Sequence, residues 1–278
     1  MKNKMKRSHI IPFILLCLGA FTMIVPFAWM LSTALKEAKL VYQIPPQWIP
    51  SPIDWKNFTE IWSSSNLLIG FRNSIFITVV VIVCSTITSS MAAFAFAKMD
   101  FPGKGLYFIA LLSTMMVPGV VLLIPQFMMY TKFSWIDTFF PLIVPAALGN
   151  VSMIFFLRQY MTGLSSELID AAKMDGCSYP RIYAQIFMPL SGPAIAANTI
   201  LLFMNTWNDY LGPALFTNSK NLQTVQVAIS TLNSYYAEQT DVPVVMAASL
   251  VAILPVLFLF ITCQKYFTES FAMTGIKG

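Results

Sequence analysis

Six apolar stretches alternate with polar segments along the chain, at residues 10–33, 73–97, 106–130, 138–157, 190–216 and 245–267. A helix needs about 20 mostly apolar residues to cross a hydrocarbon core about 30 Å thick, because each residue advances it by about 1.5 Å. The pattern predicts an all-α membrane protein with six transmembrane helices. Pro118 with Gly119, Pro125, Pro141 and Pro145 fall in the third and fourth stretches. They predict kinks, which lipid-embedded helices tolerate when neighbours satisfy the freed carbonyls. Kinked helices suit a bundle packed around a pathway, and they also suit irregular packing alone.

Composition agrees with lipid as the solvent. Apolar residues make up 57% of the 278-residue chain and charged residues 10%, against roughly a quarter charged in a soluble domain. The net charge of +5 does not signal nucleic acid, because the basic residues stand in ones and twos beside apolar runs rather than in a stripe. Cys17, Cys84, Cys177 and Cys263 lie in apolar segments or in one polar insert, so no disulfide framework is implied.

Charge also orients the spans. The segment MKNKMKR at residues 1–7 places four basic residues before the first stretch, which holds the N-terminus in the cytoplasm by the positive-inside rule. Six crossings return the C-terminus to the same side. On this topology Lys2, Lys4, Lys6, Arg7, Lys98, Lys104, Arg158, Lys173, Arg181, Lys265 and Lys277 lie inside, 11 of the 17 Lys and Arg. All six tryptophans, Trp29, Trp48, Trp55, Trp62, Trp135 and Trp207, fall at outer span ends or in outer loops. Tryptophan favours an interface without choosing a side, so this supports the topology but does not decide it. The expected organisation is a cytoplasmic N-terminus at 1–9, a six-helix transmembrane domain at 10–267 with a cytoplasmic insert at 158–189, and a cytoplasmic tail at 268–278. A signal peptide ending near Ser32-Thr33-Ala34 is the other reading of the first stretch, but its apolar run exceeds a usual h-region.

What the spans lack narrows the function. They carry almost no ionisable residue at mid-depth, and Lys98 and Asp209 lie at or near span ends. Proton-driven carriers place buried carboxylates or histidines there, at a cost of about 2.5–3.5 kcal/mol per charge. No G-x-x-x-x-G-K-[ST] loop occurs, and Gly103-Lys104 lacks both the glycine-rich cradle and the following Ser or Thr. Uphill transport would then draw its energy from another chain. The single histidine, His9, has no second ligand or catalytic partner at useful spacing, so neither a metal site nor a membrane hydrolase is implied. No cofactor is expected.

The insert at 158–189 is long for a helix–helix connection, and such loops are usually functional or structured. It reads as two short helices. Glu167 to Asp175 has an acidic start and good helix formers, Gly176 stands where a left-handed cap would be, and Ser178 precedes a second helix with Pro180 in its first turn. Ile182 with Ile186, and Tyr183 with Phe187, repeat at four-residue spacing. Helices this short need something to dock on. An amphipathic hairpin on lipid headgroups and a docking knob for a cytoplasmic protein are both open on pattern alone. For the second, Ala171, Ala172 and Gly176 keep a surface flat, and Asp170 and Asp175 offer acidic groups.

The same residues resemble the EAA motif, E-A-A-x3-G-x9-I-x-L-P, of the permease subunits of bacterial ABC importers. Here it reads Asp170-Ala171-Ala172, three residues, Gly176, nine residues, then Ile186, Phe187, Met188 and Pro189, with Asp170 replacing the glutamate and Met188 the leucine. Pro45-Pro46-Gln47-Trp48, Trp55-Lys56-Asn57-Phe58, Asn73-Ser74, Ala95-Phe96-Ala97-Lys98, Trp207-Asn208-Asp209-Tyr210 and Lys277-Gly278 are similar to MalG-like permeases of carbohydrate importers. The resemblance implies a type I importer permease fold in a bacterial cell membrane, with cytoplasmic coupling helices fitting a groove on an ATPase. It implies contacts from Asp170, Ala171, Ala172, Asp175, Gly176, Ile186 and Pro189. The implied partners are a second permease subunit completing a heterodimer, two ATP-binding subunits and an extracytoplasmic solute-binding protein. The outer loops 34–71 and 217–244 are the surfaces assigned to that protein, and their prolines and aromatics equally fit loop stiffening alone.

For the pathway of a carbohydrate, Asn205, Trp207, Asn208 and Asp209 are the candidates, since a sugar wants amide or carboxylate hydrogen bonds and a flat aromatic face. Asn205 and Asn208 could instead join helices, and Trp207 could anchor an interface. An ion-coupled carrier or channel working without an ATPase is the competing class, and a scaffold without a pathway is a third. The solute, whether monosaccharide, oligosaccharide or glycerol phosphate, stays open.

Overall fold

A computed structural model describes residues 10–232 and 240–275, and all regular elements among them are helical. The expectations for residues 1–9, for 233–239 of the outer loop 217–244, and for residues 276–278, Lys277 and Gly278 included, lie outside the described residues. The helices run α1 (Ile10–Ala34), α2 (Lys56–Ser64), α3 (Leu67–Lys98), α4 (Lys104–Ser113) and α5 (Gly119–Lys132). They continue with α6 (Phe140–Ala147), α7 (Val151–Thr162), α8 (Glu167–Met174), α9 (Tyr179–Ile182) and α10 (Met188–Leu190). The last four are α11 (Gly192–Trp207), α12 (Leu211–Phe216), α13 (Val225–Ser230) and α14 (Val242–Gly275). Four helical stretches are long and apolar enough to cross a membrane singly: Ile10–Ala34, Leu67–Lys98, Phe140–Thr162 and Val242–Gln264. Two bent pairs, Lys104–Met116 with Gly119–Lys132 and Tyr179–Leu190 with Gly192–Trp207, bring the total to six when each pair is one span.

The bends are larger than proline kinks suggest. The third span turns by 98° at Val117–Pro118, where Pro118 is extended and lacks an N–H. The fifth span ends at Trp207 rather than near 216. Pro213 has no N–H to donate to the carbonyl of Asp209 one turn back, and residues 208–210 leave the helix before α12 begins. At the other end of the fifth span the insert joins it with a 78° bend. The helix of the sixth span, α14, runs through Gly275, into the stretch expected to be a tail.

The described residues divide into two compact units, one running through Leu67 plus Ala228–Leu254, the other Leu68–Val227 plus the stretch from Pro255. In the first, the polar connection after α1 is fastened under the C-terminal end of that helix. Buried Asn57 donates its amide to the carbonyls of Ala34 and Lys36, both at 2.9 Å. Ser32 Oγ donates to the Trp48 carbonyl at 2.5 Å, and the Trp29 and Trp48 rings meet edge to face at 5.0 Å. Lys36 is fully buried, with its Nζ 4.2 Å from the Trp29 ring centre.

The second unit is organised by α3. Its 32 residues make it about 48 Å long at about 1.5 Å per residue, longer than a hydrocarbon core of about 30 Å. Asn73, Ser74, Thr78, Ser85, Thr86, Ser89 and Ser90 are all buried along it, the small polar groups that let membrane helices approach closely. Two of its hydroxyls mend the break in the fourth span. Thr88 Oγ1 donates to the Ala147 carbonyl at 2.9 Å, and Ser89 Oγ accepts the Asn150 N–H at 2.8 Å. Gly149 turns there with φ +139°, and Asn150 caps α7 by accepting from Met153 N.

Candidate functional site

The insert folds as a compact foot on the C-terminal end of α3. Helix α8 closes with paired C-terminal hydrogen bonds: Gly176 N donates to the Lys173 carbonyl at 3.0 Å and Cys177 N to the Ala172 carbonyl at 2.9 Å. This is the Schellman arrangement, and it requires a left-handed residue. Gly176 supplies it with φ +76°. Ser178 occupies the N-cap position of α9 with Pro180 in the first turn, but its hydroxyl makes no capping bond. The chain then widens into a π-turn over Tyr183–Phe187, with Met188 N reaching the Tyr183 carbonyl. The sequence spacing predicts four-residue rows. The π-turn instead aligns Ile182 and Phe187, five apart, and these are 1% and 0% exposed.

Those two side chains enter a core with Ala93 and Phe94 of α3, Met153, Leu157 and Met161 of α7, and Ile169 and Ala172 of α8. Phe94 and Phe187 meet at 5.1 Å between ring centres. Polar ties reinforce the seat. Lys98 Nζ donates to the Leu164 carbonyl at 2.6 Å and lies 5.6 Å from the Phe187 ring centre. Ser90 and Tyr183 share a hydroxyl hydrogen bond of 2.7 Å, and Arg158 Nε donates to the Phe96 carbonyl at 3.3 Å. Burying a phenylalanine or isoleucine contributes roughly 1.5–3 kcal/mol, so this core holds the foot to both helices without help from a partner.

The sequence candidates divide by face. Asp170, Ala171, Asp175, Gly176 and Pro189 are exposed, while Ala172 is 6% exposed and Ile186 is partly buried against the same core. Ala172 faces inward, packed in the core of the seat. Two participants are absent from the sequence candidates. Met174 is 84% exposed at the tip, an apolar knob that motif spacing does not single out. Lys98 looks like an ordinary span-end lysine until the fold brings Leu164 to it. Lys173 stands over the Tyr179 ring at 4.6 Å, and a hydrogen bond donated by its ammonium to that side chain raises its pKa above the ordinary lysine value.

The pathway candidates lie toward the other end of α3 and do not form one surface. Trp207 is 1% exposed, stacked on Phe203 at 5.6 Å and tilted against Phe71 at 5.7 Å, so its faces are occupied by this chain. Asn205 and Asn208 are exposed. Asn208 donates its amide to the Met204 carbonyl at 2.9 Å and accepts from Gln226 at 3.4 Å. Asp209 is half-buried and accepts from Gly212 N at 3.2 Å. Nearby, Asp137 fastens the segment after α12: its carboxylate accepts from Asn218 N and Ser219 N at 2.8 Å each and from Ser219 Oγ. These bonds hold the Asp137 carboxyl below its ordinary pKa.

Comparison with known proteins adds to this geometry. Residues 85–271 match the family described as binding-protein-dependent transport system inner membrane component. The chain is 36% identical over 230 residues to the arabinooligosaccharides transport system permease protein AraQ of Halalkalibacterium halodurans, covering 82% of this chain and 81% of that one. It is 28% identical over 286 residues to the trehalose/maltose transport system permease protein MalG of Thermococcus litoralis, covering 98% and 99%. Among solved structures it superposes with TM-score 0.83 and 24% identity on a chain of a bacterial ABC transporter involved in the import of the acidic polysaccharide alginate, covering 94% and 98%.

Proposed function

The chain belongs to the family of binding-protein-dependent transport system inner membrane components, and from that membership we propose that it is the multi-pass permease subunit of an ATP-driven carbohydrate importer, coupled to a separate ATPase through the foot at 167–190. One observation carries the coupling: the foot is bolted to α3 and α7 by its inner side while Asp170, Ala171, Met174, Asp175 and Gly176 stay open on its outer side. A lipid-bound hairpin would turn an apolar face outward. This foot turns Ile169, Ile182 and Phe187 into the protein and leaves Leu168, Met174 and Leu190 exposed, with the charged Glu167, Asp170, Lys173 and Asp175 on the surface beside them. The carbohydrate part is supported by the names of the relatives, which transport arabinooligosaccharides and trehalose or maltose.

In this reading the N- and C-termini lie in the cytoplasm, two ATP-binding subunits take the foot and its counterpart on a second permease, and a solute-binding protein delivers the sugar from the far side. Closure of the ATPases on ATP pulls the foot, and α3 and α7 move with it because the shared core does not slip. ATP binding shifts the pathway outward and hydrolysis resets it. Asn205 and Asn208, the exposed members of the pathway set, are the side chains offered to a sugar. Trp207 positions α11 against α3. The test is reconstitution: liposomes holding both permeases and the ATPase should take up sugar only with ATP inside and binding protein outside. Uptake by this chain alone would instead support a self-sufficient channel or carrier.

A further inference from the structure

The connection after α1 carries large apolar side chains on its outside. Ile44, Trp48, Ile49 and Ile53 are each more than half exposed, and Trp55 and Trp62 follow at 66% and 45%. An exposed apolar patch of this kind marks a surface that something covers. Its charge is small: between Tyr42 and Trp62 the one lysine, Lys56, stands against Asp54 and Glu60, so nothing in it selects a strongly charged partner.

Hydrogen bonds set the level at which the patch sits. Ser32 Oγ holds the Trp48 carbonyl, the Leu35 carbonyl accepts the Asp54 N–H at 2.9 Å, and Asn57 reaches the carbonyls of Ala34 and Lys36. All of these ties end in the last turn of α1 or just beyond it. Helix α1 has 25 residues and is about 37 Å long at about 1.5 Å per residue. No part of its apolar run is buried by the described residues. A hydrocarbon core is about 30 Å thick, so the end of α1 stands at the headgroup boundary and the patch is tied there with it.

Helix α2 is divided to suit that boundary. Asn57 and Ile61, four apart, form its buried side. Lys56, Glu60 and Ser63 form an exposed polar flank, while Trp55 and Trp62, seven apart, share the remaining flank. A helix with an aromatic flank and a charged flank meets lipid on one side and water on the other. A solute-binding protein would cover the patch only while docked. A bilayer at the end of α1 covers it throughout.

We propose that the connection from Tyr42 to Trp62 is an interfacial anchor, with Trp55, Trp62, Ile44, Ile49 and Ile53 seated in the headgroup layer of the leaflet at which α1 ends. The anchor fixes the depth of α1 and involves neither the foot nor the solute. The experiment uses the full chain with its four cysteines replaced by serine, in phosphatidylcholine nanodiscs. A nitroxide is attached in turn through Trp55→Cys, Trp62→Cys, Lys56→Cys and Glu60→Cys, and its collisions with oxygen and with a water-soluble nickel chelate are measured. The oxygen-to-nickel ratio should be several-fold higher at the two tryptophan positions than at the two charged ones. Nickel access at all four would show that the patch faces water, and shelter from both probes at the tryptophan positions would show that protein covers it; either result overturns the proposal. Should the cysteine-free chain not assemble, the native-cysteine chain answers by quenching with lipid brominated near the headgroup. Replacing Trp55→Phe and Trp62→Phe together, two of six tryptophans, should then lower the quenchable emission by about a third, and unchanged quenchable emission would equally overturn it.

Discussion

Gly176 is held to glycine by its backbone: a Cβ there would meet nothing within 4 Å, yet φ is +76°. A β-branched residue forced into the left-handed region costs roughly 1–2 kcal/mol, and asparagine tolerates it. Gly176→Val should therefore loosen the end of α8 and lower ATP-driven uptake at unchanged membrane abundance, while Gly176→Asn keeps most of it; paired uptake and immunoblot measurements check this. The left-handed cap was legible in the sequence because a glycine follows a run of helix formers. The inward side of Ala172 was not, because motif spacing reports which residues recur and says nothing of which way they face. Lys36 was equally hidden, standing in a polar connection where a lysine is expected to be solvated. It is buried with its Nζ unpartnered, and burial lowers its pKa from the ordinary 10.5. The unfolded chain thus binds more protons than the folded one between the lowered value and 10.5, so stability rises with pH across that window. Lys36→Met should lack the rise and match or exceed the parent midpoint below it, as pH-dependent thermal melts would show.

The foot behaves as a single element because its core is shared with α3 and α7. Removing the phenyl ring of Phe187, the largest fully buried member, should cost about 3–5 kcal/mol. Phe187→Ala is expected to expose Arg181 to trypsin markedly faster than in the parent while the spans stay protected, which limited proteolysis of inverted vesicles measures. The existence of two short helices at 167–175 and after 178 was readable from caps and composition. The π-turn was not. It depends on Pro189 denying the last turn its regular hydrogen bond, and on which two side chains the α3 and α7 surfaces can accept. The breaks in the third and fifth spans were visible as prolines, but their size was not, since a proline permits a bend and the packing around it sets the angle. The buried hydroxyl row of α3 escaped for a different reason: serines and threonines scattered in an apolar run barely change its hydropathy, and only the fold shows Thr88 and Ser89 meeting the broken backbone at 147–150.

For the whole molecule, six spans and an absent energy source were already implied by length, hydropathy and the missing nucleotide loop, and the fold adds how force would enter. A lever must be stiff where it joins the load and open where it is pushed. The foot has both properties, with Phe94, Leu157, Ile182 and Phe187 on its fixed side and Asp170, Ala171 and Met174 on its free side. The pathway was the least legible part, because side chains chosen for sugar chemistry, Trp207 and Asp209 above all, are the same types that pack and cap helices, and here they do so. The most direct test places a photo-crosslinking amino acid at Met174, and at inward-facing Ala172 as control, in the assembled importer. The account predicts that Met174 crosslinks to the ATPase, with a yield that changes on ATP binding, and that Ala172 does not. Crosslinking of Met174 to lipid alone, or to a protein on the opposite side of the membrane, would contradict it.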